Sequence, residues 1–323
     1  MKFTILVAAY NATKFLPRCL DSLFAQTEKS VQVICIDDCS TDDSLAMQQG
    51  YTKYKDNCIL VVRTPENSGQ AEARNLGLQY AVGELTMMVD ADDWLAPDCL
   101  EKMWEAYQSY DDVDCVVNNV ILDDGTRQWP YAHPSNPVIP RVMTGHEACL
   151  YAIDWRLHGY CAVRTSLHKK YPYDTTTRIY SDDNTCRIHY LLSRRVVMSE
   201  GTYYYFQHTA SCTHSPGNYK RLLFVRANMS LRQQLEHHDI GEEGLRICES
   251  HCWGIFEGVY RQMQDYKRDY ELDDDVVAEI DETLREGYEA MRLERLGKRR
   301  LPYSLFRFKQ WAIRTVKHLI GRE

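Results

Sequence analysis

Short apolar runs and amphipathic stretches of helical period alternate along the chain from Phe3 to Tyr107. Phe3 to Ala8 reads as a first strand. Thr13 to Phe24 reads as a helix, because Phe15, Leu16, Cys19, Leu20, Leu23 and Phe24 recur at helical spacing. Val31 to Ile36 is a second strand that stops at Asp37 and Asp38, with Ser40 or Thr41 able to cap the helix that follows. Cys58 to Val62 gives a third strand, Gln70 to Ala81 a helix ended by Gly83, and Leu85 to Val89 a fourth strand. Pro97 then suits the first turn of a helix whose apolar face is Leu100, Met103, Trp104 and Tyr107. Such alternation predicts an α/β fold with a doubly wound, largely parallel sheet, in which ligands sit beyond the C-terminal strand ends.

The pattern loosens afterwards. Asp112 to Val120 reads as a further strand, and Leu122 to Arg141 as a loop whose Trp129 and Tyr131 suit either plain connection or contacts over a crevice. In Thr177 to Leu192, Asp182 and Asp183 lead into Ile188, Leu191 and Leu192 at helical spacing. Tyr203 to Phe206 makes an aromatic strand that runs to His208. Beyond Pro216 only helices are expected: Tyr219 to His237, Glu242 to about Asp269, and an acidic one from Asp273 to Leu296. The predicted organisation is therefore an α/β domain over residues 1–215 and a helical extension over 216–323.

Composition changes this picture in three places. At 323 residues with 44% hydrophobic and 26% charged positions, the chain is ordinary for a globular protein. There is no run of about 18 apolar residues, and MKFTILVAAYN turns polar too soon for a secretory leader, so a cytosolic protein is expected. Its twelve cysteines are scattered without a C-x-x-C and read as reduced core residues. The net charge of −8 points to no nucleic-acid partner and hides an asymmetry: nine Lys or Arg against Glu323 give the last stretch, from Arg295, +8, and leave −16 for the rest.

The candidate chemistry lies at strand ends. LTMMVDADDWL delivers Asp90, Asp92 and Asp93 to the end of a buried strand, an expensive place for unpaired charge. In an extended segment Asp90 and Asp92 share one face and Asp93 takes the other. Hard oxygen ligands of this kind suit Mg²⁺ or Mn²⁺, and the competing reading is a solvated Asp-rich turn. The first strand ends at Ala9, Tyr10 and Asn11 and the second at Asp37 and Asp38, so three polar ends would converge on one crevice. For Asn11 and Asp42 a turn or capping role stays equally open.

Four ordered segments resemble family-2 glycosyltransferases of GT-A fold: VAAYN, IDDCSTDDS, ENSGQAEARNLGL and VDADDW. Ala8 stands where that family has proline and Cys39 where glycine is usual. The resemblance implies that Ala8 and Tyr10 flank a nucleotide base, Asp38 accepts a hydrogen bond from its edge, and Arg74 lies near the nucleotide or steadies the acids; a structural ion pair with Asp90 is the alternative. It further implies Asp92 as the principal metal ligand, Asp90 on the ribose or one shell out, and Asp93 close to the sugar. YSDDNTCRIHYLL is similar to the family's acceptor-side G-E-D motif, which makes Asp183 the expected general base, with Asp182 beside it or capping the helix. TYYYFQHTASCT is similar to the segment that closes the family's domain, and His208 there would complete the metal shell or be structural.

The resemblance, over residues 1–215, thus implies a metal-dependent, inverting hexosyl- or N-acetylhexosaminyltransferase. It would use Mn²⁺ or Mg²⁺, a nucleotide-sugar donor such as a UDP-sugar, and a saccharide or lipid-linked saccharide acceptor, in cell-surface glycan or polysaccharide synthesis. A catalytically silent binding protein and a nucleotidyltransferase are the rivals; VAAYNATKF lacks the Gly- and Lys-rich loop the second needs, and no G-x-G-x-x-G supports a dehydrogenase. Residues 296–323 combine Leu305, Phe308, Trp311, Val316 and Leu319 with Arg307, Lys309, Arg314 and Lys317. That composition suits a helix lying on an anionic membrane surface, which would place the enzyme on the inner face; packing against the acidic stretch Asp273 to Glu294 is the alternative.

Overall fold

A computed structural model describes residues 1–52, 58–132, 138–208 and 219–319. The chain forms two compact units, one of residues 1–216 with 237–240 and one of 217–236 with 241–323.

The first unit is built on a ten-stranded sheet of order β3-β2-β1-β4-β9-β6-β10-β5, with β7 added on β6 and β8 on β10. β1 (Phe3–Ala9), β2 (Val31–Asp37), β3 (Ile59–Arg63) and β4 (Leu85–Met88) are parallel neighbours, with β1 between β2 and β4. Both faces of these strands are covered. Phe3, Ile5 and Val7 of β1 pack with Val33 and Cys35 of β2 against α1 (Leu16–Phe24) and α4 (Cys99–Gln108). Leu6 with Ile34 and Ile36 packs on the other side against α3 (Gln70–Leu78). That explains why these strands read as continuous apolar runs. Gly77 lets α3 come close, since a Cβ there would meet Ile36 Cδ1 at 2.7 Å.

The sheet is mixed beyond β4. β9 (Cys161–Arg164) runs antiparallel between β4 and β6 (Val113–Asp123), and β10 (Arg195–Phe206) lies parallel to β6. β4, β6 and β10 therefore end on the same side, and β5 (Trp94–Leu95) zips antiparallel onto Tyr203 and Tyr204 of β10. The stretch 122–141 is less of a plain loop than its residues suggest, because β7 (Gln128–Pro130) folds back on β6. β8 (Val142–Met143), α5 (Gly145–Ala152) and α6 (Thr165–Lys170) complete this region before α7 (Asp182–Leu192). In the helix after β2, α2 (Ser44–Tyr51), the N-cap position is Asp43 rather than Ser40 or Thr41; Ser40 Oγ instead accepts from Asn11 N at 3.1 Å.

The second unit is helical: α8 (Leu222–His237, whose last residue belongs to the first unit), α9 (Gly241–Asp269), α10 (Asp274–Ala290) and α11 (Tyr303–Leu319). Phe306 of α11 is 4% exposed in an aromatic cluster with Trp253, Phe256, Tyr260 and Tyr288. The expected acidic helix ends at Ala290, and Leu293–Leu296 is a separate 3-10 turn.

Candidate active site

Two loops are fastened before any chemistry begins. Asn11 adopts a left-handed φ of 50°, and its Oδ1 accepts from Thr41 N at 2.8 Å and Asp42 N at 3.3 Å. Asp42 accepts from the Thr13 hydroxyl at 2.5 Å and from Ser44 N at 3.0 Å, so both residues hold the turn. Cys39, standing in the glycine position, has φ 58°, a backbone state that glycine adopts more readily. Asp38 is 4% exposed; its carboxylate accepts from Thr64 Oγ1 (2.8 Å), Ser68 N (2.9 Å) and Gly69 N (2.8 Å). It shapes the loop before α3, while Tyr10, beside it in the chain's first strand end, is 49% exposed and Ala8 is half-buried. Gly69, at φ 93°, has no room for a Cβ against Arg178 O.

The three acids after β4 receive three different treatments. A turn closed by Asp93 N to Asp90 O (3.0 Å) replaces the extended geometry and separates them. Asp90 turns to Arg74 (2.5 Å), and Asp92 Oδ2 to His208 Nε2 (2.8 Å). Asp93, expected near the sugar, is instead sealed at 0% exposure. Its Oδ2 accepts from the Tyr203 hydroxyl at 2.6 Å and its Oδ1 from Phe206 N at 2.8 Å. No surface is left for a ligand, so Asp93 is a fastener between the β4 end and β10. Burial pushes its carboxyl well above the usual range, reinforced by Asp90 and Asp92 and opposed by the Tyr203 and Phe206 hydrogen bonds.

Arg74, 2% exposed, reaches both halves of the site, Asp90 Oδ1 on one side and Asp182 Oδ2 on the other, each at 2.5 Å, and also bonds Gln70 Oε1 at 2.6 Å. Burial opposes the guanidinium charge, but Asp90 and Asp182 outweigh it and hold its proton more tightly than usual. Burial lifts Asp90 to about 6, against the pull of Arg74 and with help from Asp92 and Asp182. The ion-pair alternative for Arg74 is thus present, with a second partner added. Asp182 lies in the first turn of α7, and Ser181 occupies the N-cap position.

Asp183 is the exception. It is half-buried, and among the described residues nothing hydrogen-bonds its carboxylate; Arg187 Nη1 and Cys186 Sγ bond its backbone carbonyl instead. Burial raises its carboxyl to about 7, Asp182 adds to the rise, and Arg187 and Arg74 oppose it.

Among the described residues nothing partners the buried His208 Nδ1, and the His208 ring lies 4.6 Å from that of Phe15. Asp92 and His208 bring one oxygen and one nitrogen together, a donor pair that fits a divalent cation keeping positions for other ligands. Among the described residues no third His, Cys, Asp or Glu joins them. Arg18 escaped sequence reasoning: its guanidinium stacks on Trp94 (3.7 Å) and donates to Asp92 O at 2.9 Å, and a lone Arg in an amphipathic helix carries no such signal. The motif's end, Thr209 to Thr213, lies outside the described residues, as do the side chains from Arg314 onward.

Acids gathered at the C-terminal ends of parallel strands in a mixed sheet define a protein of the GT-A class. The chain belongs to glycosyl transferase family 2, whose model matches residues 4–171. Among curated relatives it is 35% identical over 132 residues to glycosyltransferase GlyA of Streptococcus pneumoniae, covering 41% of this chain and 18% of that protein. It is 36% identical over 102 residues to a poly(ribitol-phosphate) beta-glucosyltransferase of Bacillus spizizenii, covering 31% and 16%. The chain thus spans less than a fifth of these two relatives. Among solved structures, S. aureus TarS 1–349 in complex with UDP-GlcNAc superposes with a TM-score of 0.65 at 18% identity, over 91% of this chain and 83% of that one. The Pyrobaculum calidifontis mannosyltransferase PcManGT with GDP-Man and Mn²⁺ gives 0.53 at 14%, over 91% and 87%. Both likenesses are of fold.

Proposed function

We propose that the chain is an inverting, metal-dependent transferase that moves a hexosyl or N-acetylhexosaminyl group from a UDP-sugar to a saccharide hydroxyl in cell-surface glycan synthesis. The observation that carries this is the arrangement about Arg74: a carboxylate cluster at the β4 end, and beyond Asp182 the carboxylate of Asp183, which no described residue hydrogen-bonds. UDP-GlcNAc in TarS and the glucosyl transfer named for the Bacillus relative support the donor and acceptor classes.

Asp183 takes the proton of the acceptor hydroxyl as that oxygen bonds to the anomeric carbon and the bond to the diphosphate breaks. A single base suffices, because no second nucleophile forms a covalent sugar intermediate. Asp92 and His208 would hold Mn²⁺ or Mg²⁺, which when bound offsets the charge that develops on the leaving diphosphate. Arg74 keeps Asp90 and Asp182 in place on either side. Tyr10, Ala8 and the Asp38 loop form the nucleoside side of the crevice, Asp38 by shaping that loop as well as by any bond to the base.

Calorimetry with UDP-glucose, UDP-galactose, UDP-GlcNAc and UDP-GalNAc, with and without Mn²⁺, tests the reading. At least one should bind with the metal and release UDP slowly to water. Asp92→Ala should weaken that binding about tenfold or more. Binding of none, or turnover by none with any acceptor, favours the silent-protein alternative.

A membrane-surface role for α11 belongs to the same reading. Leu305, Phe308 and Trp311 recur three apart and are 52%, 63% and 62% exposed, on the side away from buried Phe306. Exposed Arg307 and Lys309 flank that stripe. Among the described residues no helix is long and apolar enough to cross a membrane. Full-length protein should float with phosphatidylglycerol vesicles, and F308S/W311S should not; equal flotation refutes the role.

A further inference from the structure

A second concavity of about 370 Å³, the size range of small-ligand sites, opens in the first unit away from the carboxylate cluster. Its lining includes Asn119 of β6 and Ser199 and Glu200 of β10, where the pairing register of the two strands breaks between Met198 and Thr202. Irregularities of this kind re-aim side chains and occur beside functional sites. Tyr131, Arg141, Arg156 and His158 also line it.

Two separate chains of contact join this cleft to the reaction centre. The first is a row of rings: Tyr131 meets His158 edge-on at 5.2 Å, His158 lies 5.8 Å from Tyr160, and Tyr160 lies 4.3 Å from Tyr203. The Tyr203 hydroxyl is bonded to Asp93. The second runs through Trp155, held at φ 67°. The Tyr131 hydroxyl donates to its carbonyl at 2.7 Å, and Arg187 lies over its ring at 4.3 Å while donating to Asp183 O. Tyr131 and Trp155 thus link the cleft to the helix that carries the expected base.

The charges decide what it would hold. Arg141 faces Glu200 at 2.9 Å and Arg156 faces Asp154 at 2.8 Å, so neither guanidinium is an uncompensated cation awaiting a phosphate. Paired guanidinium and carboxylate groups, an exposed Asn amide, a Ser hydroxyl and aromatic rings offer donors and acceptors to a ring of hydroxyls and a flat face to its apolar side. We propose that this cleft is a subsite for a neutral sugar unit of the acceptor chain, one or more residues removed from the hydroxyl that reacts. The assignment rests on the transferase reading above.

The test uses the full chain and saturation-transfer NMR with methyl glycosides of glucose, galactose, mannose and N-acetylglucosamine as probes. At least one glycoside should give a signal that UDP with Mn²⁺ does not displace. N119A/R141A, whose two side chains are exposed, should weaken that signal about tenfold while UDP binding stays within about twofold. A glycoside signal displaced by UDP, one that survives in N119A/R141A, or none at all overturns the subsite. So does inorganic phosphate competing with the glycoside, which would make the cleft anionic-ligand chemistry. Failure of UDP-sugar binding in the calorimetry above would instead overturn the transferase reading, and leaves its own distinct signature.

Discussion

Asp93 and Asp183 are each the second of two neighbouring acids at the edge of one crevice, and burial raises both carboxyls. What separates them is partners. Each oxygen of Asp93 meets a donor supplied by β10, whereas no described residue meets the carboxylate of Asp183. A buried acid whose hydrogen bonds are complete belongs to the fold; one left incomplete is held ready for something that arrives. A perturbed ionisation alone would have selected both.

The widest break in that contrast is D183N. It should lower turnover about 10²- to 10⁴-fold, the range for loss of a general base, with UDP-sugar affinity in calorimetry unchanged within about twofold. Near-normal turnover would move the base elsewhere, with Asp182 the next candidate. Next comes D93A, which strands the Tyr203 hydroxyl and the Phe206 N–H in a sealed place and should lower stability by about 2–4 kcal/mol in urea unfolding. An unchanged unfolding midpoint with a raised donor KM would return Asp93 to the sugar. The smallest effect is graded with pH. Asp183 accepts a proton only when ionised, so with its carboxyl near 7 the rate should fall about tenfold per unit below that value and level above it. A kcat/KM profile flat down to about pH 5 would remove Asp183 from the proton-transfer step.

The parallel half of the sheet was legible because its strands are buried on both faces and each motif residue acts close to home. Asn11 and Asp42 bond one another's loop, and Asp38 bonds the loop of the next strand. Cys39 was visible as a departure from glycine, and its positive φ gives that departure a conformational meaning. The rest depended on residues far along the chain. Asp93 owes its role to Tyr203, 110 positions away, and Arg74 finds Asp182 at a separation of 108. β9, four residues with no alternation to speak of, is recognisable only from the strands on either side of it. The three acid-bearing strand ends were foreseeable, while the β10 partners that seal Asp93 were not.

Arg74 has a consequence for how this enzyme can be taken apart. One guanidinium neutralises a carboxylate at the end of β4 and another in the first turn of α7, so its removal would set Asp90 and Asp182 facing each other across a buried gap. A substitution there disturbs both acids at once. Asp90 and Asp182 share a single counter-ion, and a mutational dissection of the crevice has to be made around that position rather than through it.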